Sequence, residues 1–474
     1  MLDPCGWRRG MVAGPMARGG WTRWTAWATA PLCGLVLVSI SLAVAGDTVL
    51  ISRQSAADGG ATSERANSPS IVADGRLVAF ASGSTNLSDL DDESPGGVFN
   101  SDAPPRSDVF VRDVGSEETI LVSRGPAAEG NVVADNGSIE PAISATGRRV
   151  AFTSAAANFS DDDRDTMTSP ATQVVSPVLD IFVRDLQTGD TILASRRAGA
   201  NGAGGGQDSF SPSISADGRL VAFVSDAENL SAIDRSGTDV FVRDLSRSRT
   251  ILVSRGAGAR GRAANGFSGA AAISANGRFV AFTTRATNLS RRDRDPDVDV
   301  YLRDLARERT ILVSRGSVHG DATQPAVSSH GRLVAFVWEQ RDRRRRTDDS
   351  PLNVHVVNVS RGRTTLVSVR GGAGPANDVD AVLPQLSSRG SFVAFVAQER
   401  DPFGQNDDLD ADIFVRDLRN ARTSLAAGSR ADTGVETTNP SLSGHARFLA
   451  FEEEPNQFSG ATEPRQVFRV QLLD

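Results

Sequence analysis

The stretch Ser211-Pro-Ser-Ile-Ser-Ala-Asp-Gly-Arg-Leu-Val-Ala-Phe223 decides the fold, because versions of it return along the whole chain. Related stretches begin at Ser68, Glu140, Gly269, Gln324, Leu383 and Asn439. Each runs into Val-Ala-Phe or Leu-Ala-Phe, ending at Phe80, Phe152, Phe223, Phe282, Phe336, Phe395 or Phe451. A second element follows, Asp108-Val-Phe-Val-Arg-Asp113, with counterparts at Asp180, Asp239, Asp299 and Asp412. Asn353-Val-His-Val-Val-Asn358 and Gln466-Val-Phe-Arg-Val470 are looser versions. A third element is Thr119-Ile-Leu-Val-Ser-Arg124, with counterparts at Thr191, Thr250, Thr310, Thr364 and Thr423. A unit repeated at this period signals a repeat architecture.

Each unit predicts four strands. The first is the Pro-x-Ile-Ser stretch. A tight turn follows at Asp74-Gly75, Asp217-Gly218 or Asn276-Gly277, where such pairs tolerate the positive φ of a two-residue hairpin. Strands two and four are nearly continuous apolar runs, so both of their faces are expected to be buried. No long stretch has helical periodicity. Four-stranded antiparallel units in series make a β-propeller. The seventh unit has only three strands at the C-terminus, and Asp47-Thr-Val-Leu-Ile-Ser-Arg53 matches its missing fourth. The expectation is therefore all-β: one seven-bladed propeller over residues 46–474, its last blade closed by the N-terminal strand, which leaves no free sheet edge at the junction.

The unit Pro-Ser-Ile-Ser-Ala-Asp-Gly-Arg-Leu-Val-Ala-Phe followed by Asp-Val-Phe-Val-Arg-Asp-Leu resembles the TolB-type propeller repeat, a WD-like blade. The resemblance covers essentially all of residues 46–474 and is specific for fold. It implies little about activity, because that repeat serves adaptors, peptidase caps and polysaccharide enzymes alike. TolB is an exported, protein-binding adaptor of the periplasm. This sequence departs from it in having seven units against six blades, and no α/β domain ahead of them.

Residues 1–45 read differently from the rest. Arg8, Arg9, Arg18 and Arg23 precede an apolar run from Pro31 to Ala45 that ends in Ala43-Val44-Ala45. This is the pattern of an export signal cleaved after Ala45, and the run is short for a membrane span. It predicts a periplasmic or extracellular protein with no stable membrane insertion after cleavage. Both cysteines, Cys5 and Cys33, lie in that leader, so the remainder has no disulfide and no thiol chemistry.

With 39% hydrophobic and 23% charged residues the chain has an ordinary globular balance, which excludes a disordered or collagen-like protein. All 51 basic residues are Arg, and without lysine there is no Walker A loop and no Schiff-base chemistry. A net charge of −7 argues against a nucleic-acid partner.

Residues that recur in every unit are architecture. Arg112, Arg184, Arg243, Arg303 and Arg416 stand beside Asp113, Asp185, Asp244, Asp304 and Asp417, and read as a structural Arg–Asp pairing. The sequons at Asn86, Asn158, Asn229 and Asn288 recur at one repeat position, which favours architecture over glycan attachment. Function belongs to what differs. The long connections, between strands two and three and between blades, all fall on one face, which is thereby elaborated for binding. Those between strands two and three are acidic, at Asp161-Asp-Asp-Arg-Asp165, Asp293-Arg-Asp-Pro-Asp297 and Asn406-Asp-Asp-Leu-Asp410. Alternating carboxylates make Asp293, Asp295 and Asp297 a calcium candidate, though no loop completes an EF-hand pattern. Gly199-Ala-Asn-Gly-Ala-Gly-Gly-Gly206 precedes a strand and reads as a connector, not a phosphate loop. Arg341-Asp-Arg-Arg-Arg-Arg346 is a solvated loop or a patch for an anionic partner. His319, His330, His355 and His445 share no ligand spacing, and no Gly-x-Ser-x-Gly elbow is present. No catalytic residue or organic cofactor is assigned. The reading is a monomeric, non-catalytic scaffold for a protein or peptide; its rival is a lyase or glycosidase using funnel carboxylates on an extracellular polysaccharide.

Overall fold

Each repeat folds as a four-stranded antiparallel sheet, and seven such sheets stand around one axis in a computed structural model. The structure describes residues 48–56, 59–88, 107–127, 132–160, 166–168, 175–234, 237–293, 295–315, 320–339, 352–369, 380–397, 411–428, 435–455 and 464–472. The leader expected over residues 1–45 lies outside them. Among the described residues there is no α-helix, and hence no helix long and apolar enough to cross a membrane. Blade 3 shows the pattern: Ser209–Ile214 at the axis, then Leu220–Ser225, Asp239–Asp244 and Arg249–Leu252 at the outer edge. Blade 7 contains Val435–Leu442, Phe448–Pro455 and Gln466–Gln471, and Val49–Leu50 completes it from the other end of the chain. Val49 sits opposite Arg469 and Leu50 opposite Phe468, as the matching sequences required. One further hairpin, Thr166–Thr168 with Val175–Pro177, rises from the long loop of blade 2, where no strand was expected.

The Val-Ala-Phe pattern explains why the sheets stack. Successive side chains on a strand face opposite sides. In blade 3, Phe223 and its cross-strand partner Phe241 face blade 2, where they meet Ala151, Ile181 and Val183. Ala222, Val240 and Val242 face blade 4, where they receive Phe282 and Tyr301. Every blade thus presents a bulky aromatic face to one neighbour and a small-residue face to the other. The stacked pair recurs in all seven blades, with ring centroids 5.7 to 6.1 Å apart. Blade 5 departs in chemistry: its strand-three ring is His355, stacked on Phe336 and edge-on to Trp338.

The recurring Arg and Asp do not pair with each other, because adjacent strand residues point to opposite faces. Each Arg instead reaches the connector that arrives from the preceding blade. Arg243 Nη1 donates to Thr250 Oγ1 at 3.1 Å and to the carbonyl of Arg197, while Arg184 Nη1 bonds Thr191 and the carbonyl of Gly125. Each Asp caps its own outer turn, and Asp113, Asp185, Asp244 and Asp304 also meet an Arg from the inner hairpin. Asp113 accepts from Gly115 N and from Arg76, whose guanidinium holds its carboxyl down at about 2.

The inner hairpins lock the face opposite the long loops. Backbone bonds link blade to blade around the axis: Thr146 N to Ala216 O, Ala216 N to Ala275 O, Asn276 N to Ser329 O, Ser329 N to Ser388 O and Ser388 N to Gly444 O, at 2.9 to 3.3 Å. The turn glycine is required twice over. Gly75 has φ +79°, and a Cβ there would lie 2.1 Å from Phe448 Cδ2 of the neighbouring blade. Blade 7 alone uses another residue, Ala446 at φ 57°.

Three outcomes follow from this packing. Phe223→Ala empties the seam between blades 2 and 3 and is expected to cost about 3–5 kcal/mol in denaturant unfolding. Ala446→Gly relieves a left-handed alanine and is expected to stabilise by about 0.5–1 kcal/mol in the same assay. Burial lowers the pKa of His355 in the folded chain. The unfolded chain therefore takes up the proton first, and stability falls as pH drops through about 6.5. His355→Phe is expected to remove that loss, so the variant's advantage widens from pH 7.5 to pH 5.5.

Candidate functional site

Two features stand on the axis and on the long-loop face. The first begins with proline. Proline has no N–H to give a ladder, so within a sheet it is confined to edge positions and bulges, and here it marks a bulge. In blade 3 the register shifts between Phe210 and Ser213, and Ser211 adopts φ 53° before Pro212. The equivalent residues Ser68, Glu140, Ala270, Gln324, Leu383 and Asn439 have φ between 44° and 54°. Six of the seven precede proline, and Ala270 precedes Ala271. Together they ring a funnel of about 380 Å³ at the end of the axis from which the long connections rise. Beyond it the axis narrows to about 170 Å³ between Ile71, Ile143, Ile214, Ile273, Val327, Leu386 and Leu442.

The funnel mouth is chemically quiet. Glu140 is the one carboxylate in its described lining. Its Oε2 accepts from Ser211 N at 2.7 Å and from Thr153 Oγ1 at 3.0 Å, so it braces the next bulge. Gln324 braces Leu383 N in the same way at 2.7 Å, and Glu452 braces Ser68 N at 2.6 Å. Among the described residues no second acid lines the mouth beside Glu140.

The second feature is a cavity of about 210 Å³ beside the long connection of blade 4. The spacing argument named Asp293, Asp295 and Asp297. The structure brings Asp293, Asp295 and Asp299 together, with a carboxylate oxygen of each within 4.8 Å of the others. Asp297 also lines the cavity, but its Oδ2 accepts from Gly320 N in the connector to blade 5 at 3.0 Å. Asp299 was missed because it opens strand three and so read as architecture. Its counterparts do carry a repeated bond: Ser123, Ser195, Ser254 and Ser314 donate to Asp108, Asp180, Asp239 and Asp299. Burial pushes the Asp299 carboxyl up to about 7, and raises Asp293 as well.

The sequon asparagines are structural in detail. Asn158 Nδ2 donates to Val133 O, Asn229 Nδ2 to Gly204 O and Asn288 Nδ2 to Ala263 O, at 2.8 to 3.0 Å, pinning each blade-to-blade connector. The Gly199–Gly206 segment is such a connector, anchored by Arg243 Nη2 on Gly199 O. His330 and His445 sit at inner turns, and His355 is buried between Phe336 and Trp338. Asp161–Asp165, Arg341–Arg346, Asn406–Asp410 and His319 lie outside the described residues.

The sequence matches no protein-family model and no curated protein. Among solved structures, the fold is similar to an oligogalacturonate lyase in complex with manganese, at 11% identity, 91% of this chain, 98% of that one and a TM-score of 0.50. It is equally similar to the β-propeller domain of the trilobed protease of Pyrococcus furiosus, at 12% identity, 88% and 97% coverage and a TM-score of 0.50. TolB from Acinetobacter baumannii is among the neighbours at 13% identity, 77% and 76% coverage and a TM-score of 0.37. At these identities the first two likenesses agree with the β-propeller fold and say nothing about activity.

Proposed function

We propose that this chain is an exported propeller acting as a non-catalytic scaffold, which binds a protein or peptide segment at the funnel and the long-loop face. The observation that carries this reading is the state of the funnel mouth. Its one described carboxylate, Glu140, is engaged in holding the Ser211 bulge, and the rest of the ring is Ser, Pro, Ala, Gln, Leu and Asn. Hydrolysis or elimination on a polysaccharide needs a poised acid and base at one place. A ring of small polar and apolar groups around half-buried, bulged backbone suits an extended peptide, whose main chain meets the carbonyls and the Ser, Asn and Gln side chains there. Export is supported by the signal pattern of residues 1–45.

Photo-crosslinking tests this directly. Amine reagents have no lysine side chain to attack, so a photoreactive residue is placed at Leu383 in the mouth, and another at Arg422 on the outer edge as control. The expected outcome is a discrete protein adduct from Leu383 in envelope extract, suppressed by Gln324→Ala and absent from Arg422. No adduct, together with chain shortening of polygalacturonate or another acidic glycan that disappears in Glu140→Gln, overturns the scaffold reading in favour of the enzyme.

A further inference from the structure

The acidic cavity of blade 4 has a property that spacing alone does not give. Asp293 is only 9% exposed. Its Oδ2 accepts from the buried Tyr301 hydroxyl at 2.8 Å, but its Oδ1 is fully enclosed and closes no well-formed hydrogen bond, the Asp295 N–H standing beside the carboxylate without satisfying it. A buried carboxylate oxygen without a partner is strongly unfavourable, and such groups are paired or coordinate metals. Arg292 and Arg315 line the same cavity, yet among the described residues neither forms an ion pair with these carboxylates. Arg315 Nε is instead bonded to the carbonyl of Leu312 at 2.8 Å.

The geometry selects the kind of ion. Ca²⁺ sits about 2.3–2.6 Å from its oxygens, so two of its ligands are separated by at most about 5 Å. The three carboxylates meet that limit at 4.8 Å. They are hard oxygen donors with no nitrogen or sulfur among them, which disfavours zinc and the softer metals. Blade 3 repeats part of the arrangement. Asn229-Leu-Ser-Ala-Ile-Asp234 aligns with Asn288-Leu-Ser-Arg-Arg-Asp293, and Asp239 aligns with Asp299. Asp234 and Asp239 are likewise buried, at 7% and 2% exposure. Two residues beyond the first acid, however, blade 3 has Ser236 where blade 4 has Asp295.

We propose that blade 4 binds a Ca²⁺-sized hard divalent cation through Asp293, Asp295 and Asp299. Backbone oxygens or water complete its shell. The ion ties the long connection of the blade to the aromatic core, because Asp293 holds Tyr301 and Tyr301 stacks on Phe282. Asp297 extends the same tie to the connector at Gly320. The ion thus orders one sector of the face proposed to bind a partner, and it does so whether or not a partner is present.

The test uses the full chain, stripped with a chelator and titrated with CaCl₂ alone. Trp338 lines the cavity, so Tb³⁺ placed there is expected to luminesce on indole excitation, and Ca²⁺ is expected to displace it. Ca²⁺ is also expected to raise the thermal midpoint by several degrees. Asp295→Asn is expected to weaken binding at least about tenfold, as loss of one charged ligand does. Asp293→Asn is expected to abolish the midpoint shift while leaving the chelated protein no less stable, since an unpaired buried charge has gone. Trp338→Phe is expected to lose the Tb³⁺ signal and keep the Ca²⁺ shift. No midpoint shift up to about 10 mM Ca²⁺, beyond the range of weak extracellular sites, overturns the proposal. So does an equal shift in Asp295→Asn, a variant at a partly exposed position that decides the matter even if Asp293→Asn does not fold. No partner enters these readouts, so they stand apart from the crosslinking result.

Discussion

The whole ring depends on one contact, repeated at every seam: a stacked aromatic pair laid against the alanine and valine face of the preceding blade. Phe223 and Phe241 against Ala151 and Val183 is one instance. A sheet with both faces apolar cannot stand alone in water. It has to stack, and stacking side by side continues until the last free face meets the first. Alternation of large and small residues fixes which face of a blade meets which face of its neighbour, without any specific polar bond. The polar devices are secondary. The Arg that bonds the incoming connector, as Arg243 does at Arg197 O, trims a seam that burial has already made favourable.

Closure poses a separate problem, because a ring of sheets has to join its ends. Val49–Leu50 does this by adding the outer strand of the final blade. Ser52 reinforces the join: its hydroxyl donates to Gln466 Oε1 at 2.5 Å and accepts from Val467 N at 3.0 Å. Thr62 Oγ1 meets the same glutamine at 2.8 Å. Contacts spanning more than 400 positions in sequence hold the two ends of the propeller in one sheet. Their entropic cost rises only slowly with that span.

Much of this was legible from the residues. The number of blades, the strand that closes the ring and the connector role of Gly199–Gly206 all follow from repetition, since a repeated pattern reports its own register. What repetition concealed was direction. Arg112 and Asp113 are neighbours in sequence but face opposite ways, and only the sheet shows that one serves the incoming connector and the other its own turns. Repetition also hid Asp299. It belongs to a series of strand-opening acids bonded to serine, so it read as scaffold, although in blade 4 it shares space with Asp293 and Asp295. Asp297 was named from its alternate spacing, but the chain turns there, and its side chain reaches Gly320 instead. The bulges at the axis were partly within reach: a proline at the same place in six inner strands marks either a bulge or an unpaired edge, and only the structure separates the two.

The two ends of the propeller are under opposite constraints, and this divides architecture from function. At the hairpin end, the inner turns of blades 2 to 7 are bonded in series, and the glycine of one turn lies against a side chain of the adjacent blade. A longer turn or a larger residue there collides with a neighbour, as a Cβ at Gly75 would with Phe448. At the other end it is the connections between strands two and three that vary in length and charge from blade to blade; the described blade-to-blade connectors are held by the asparagine pins, by Arg–carbonyl bonds and by backbone bonds to the outer turn of the next blade. An additional hairpin in blade 2 and an acid cluster in blade 4 are both found on that end. The proline bulges open the axis on the same side. Variation and access therefore coincide because the packing that closes the ring forbids them elsewhere, and a binding surface on this fold has one face available to it.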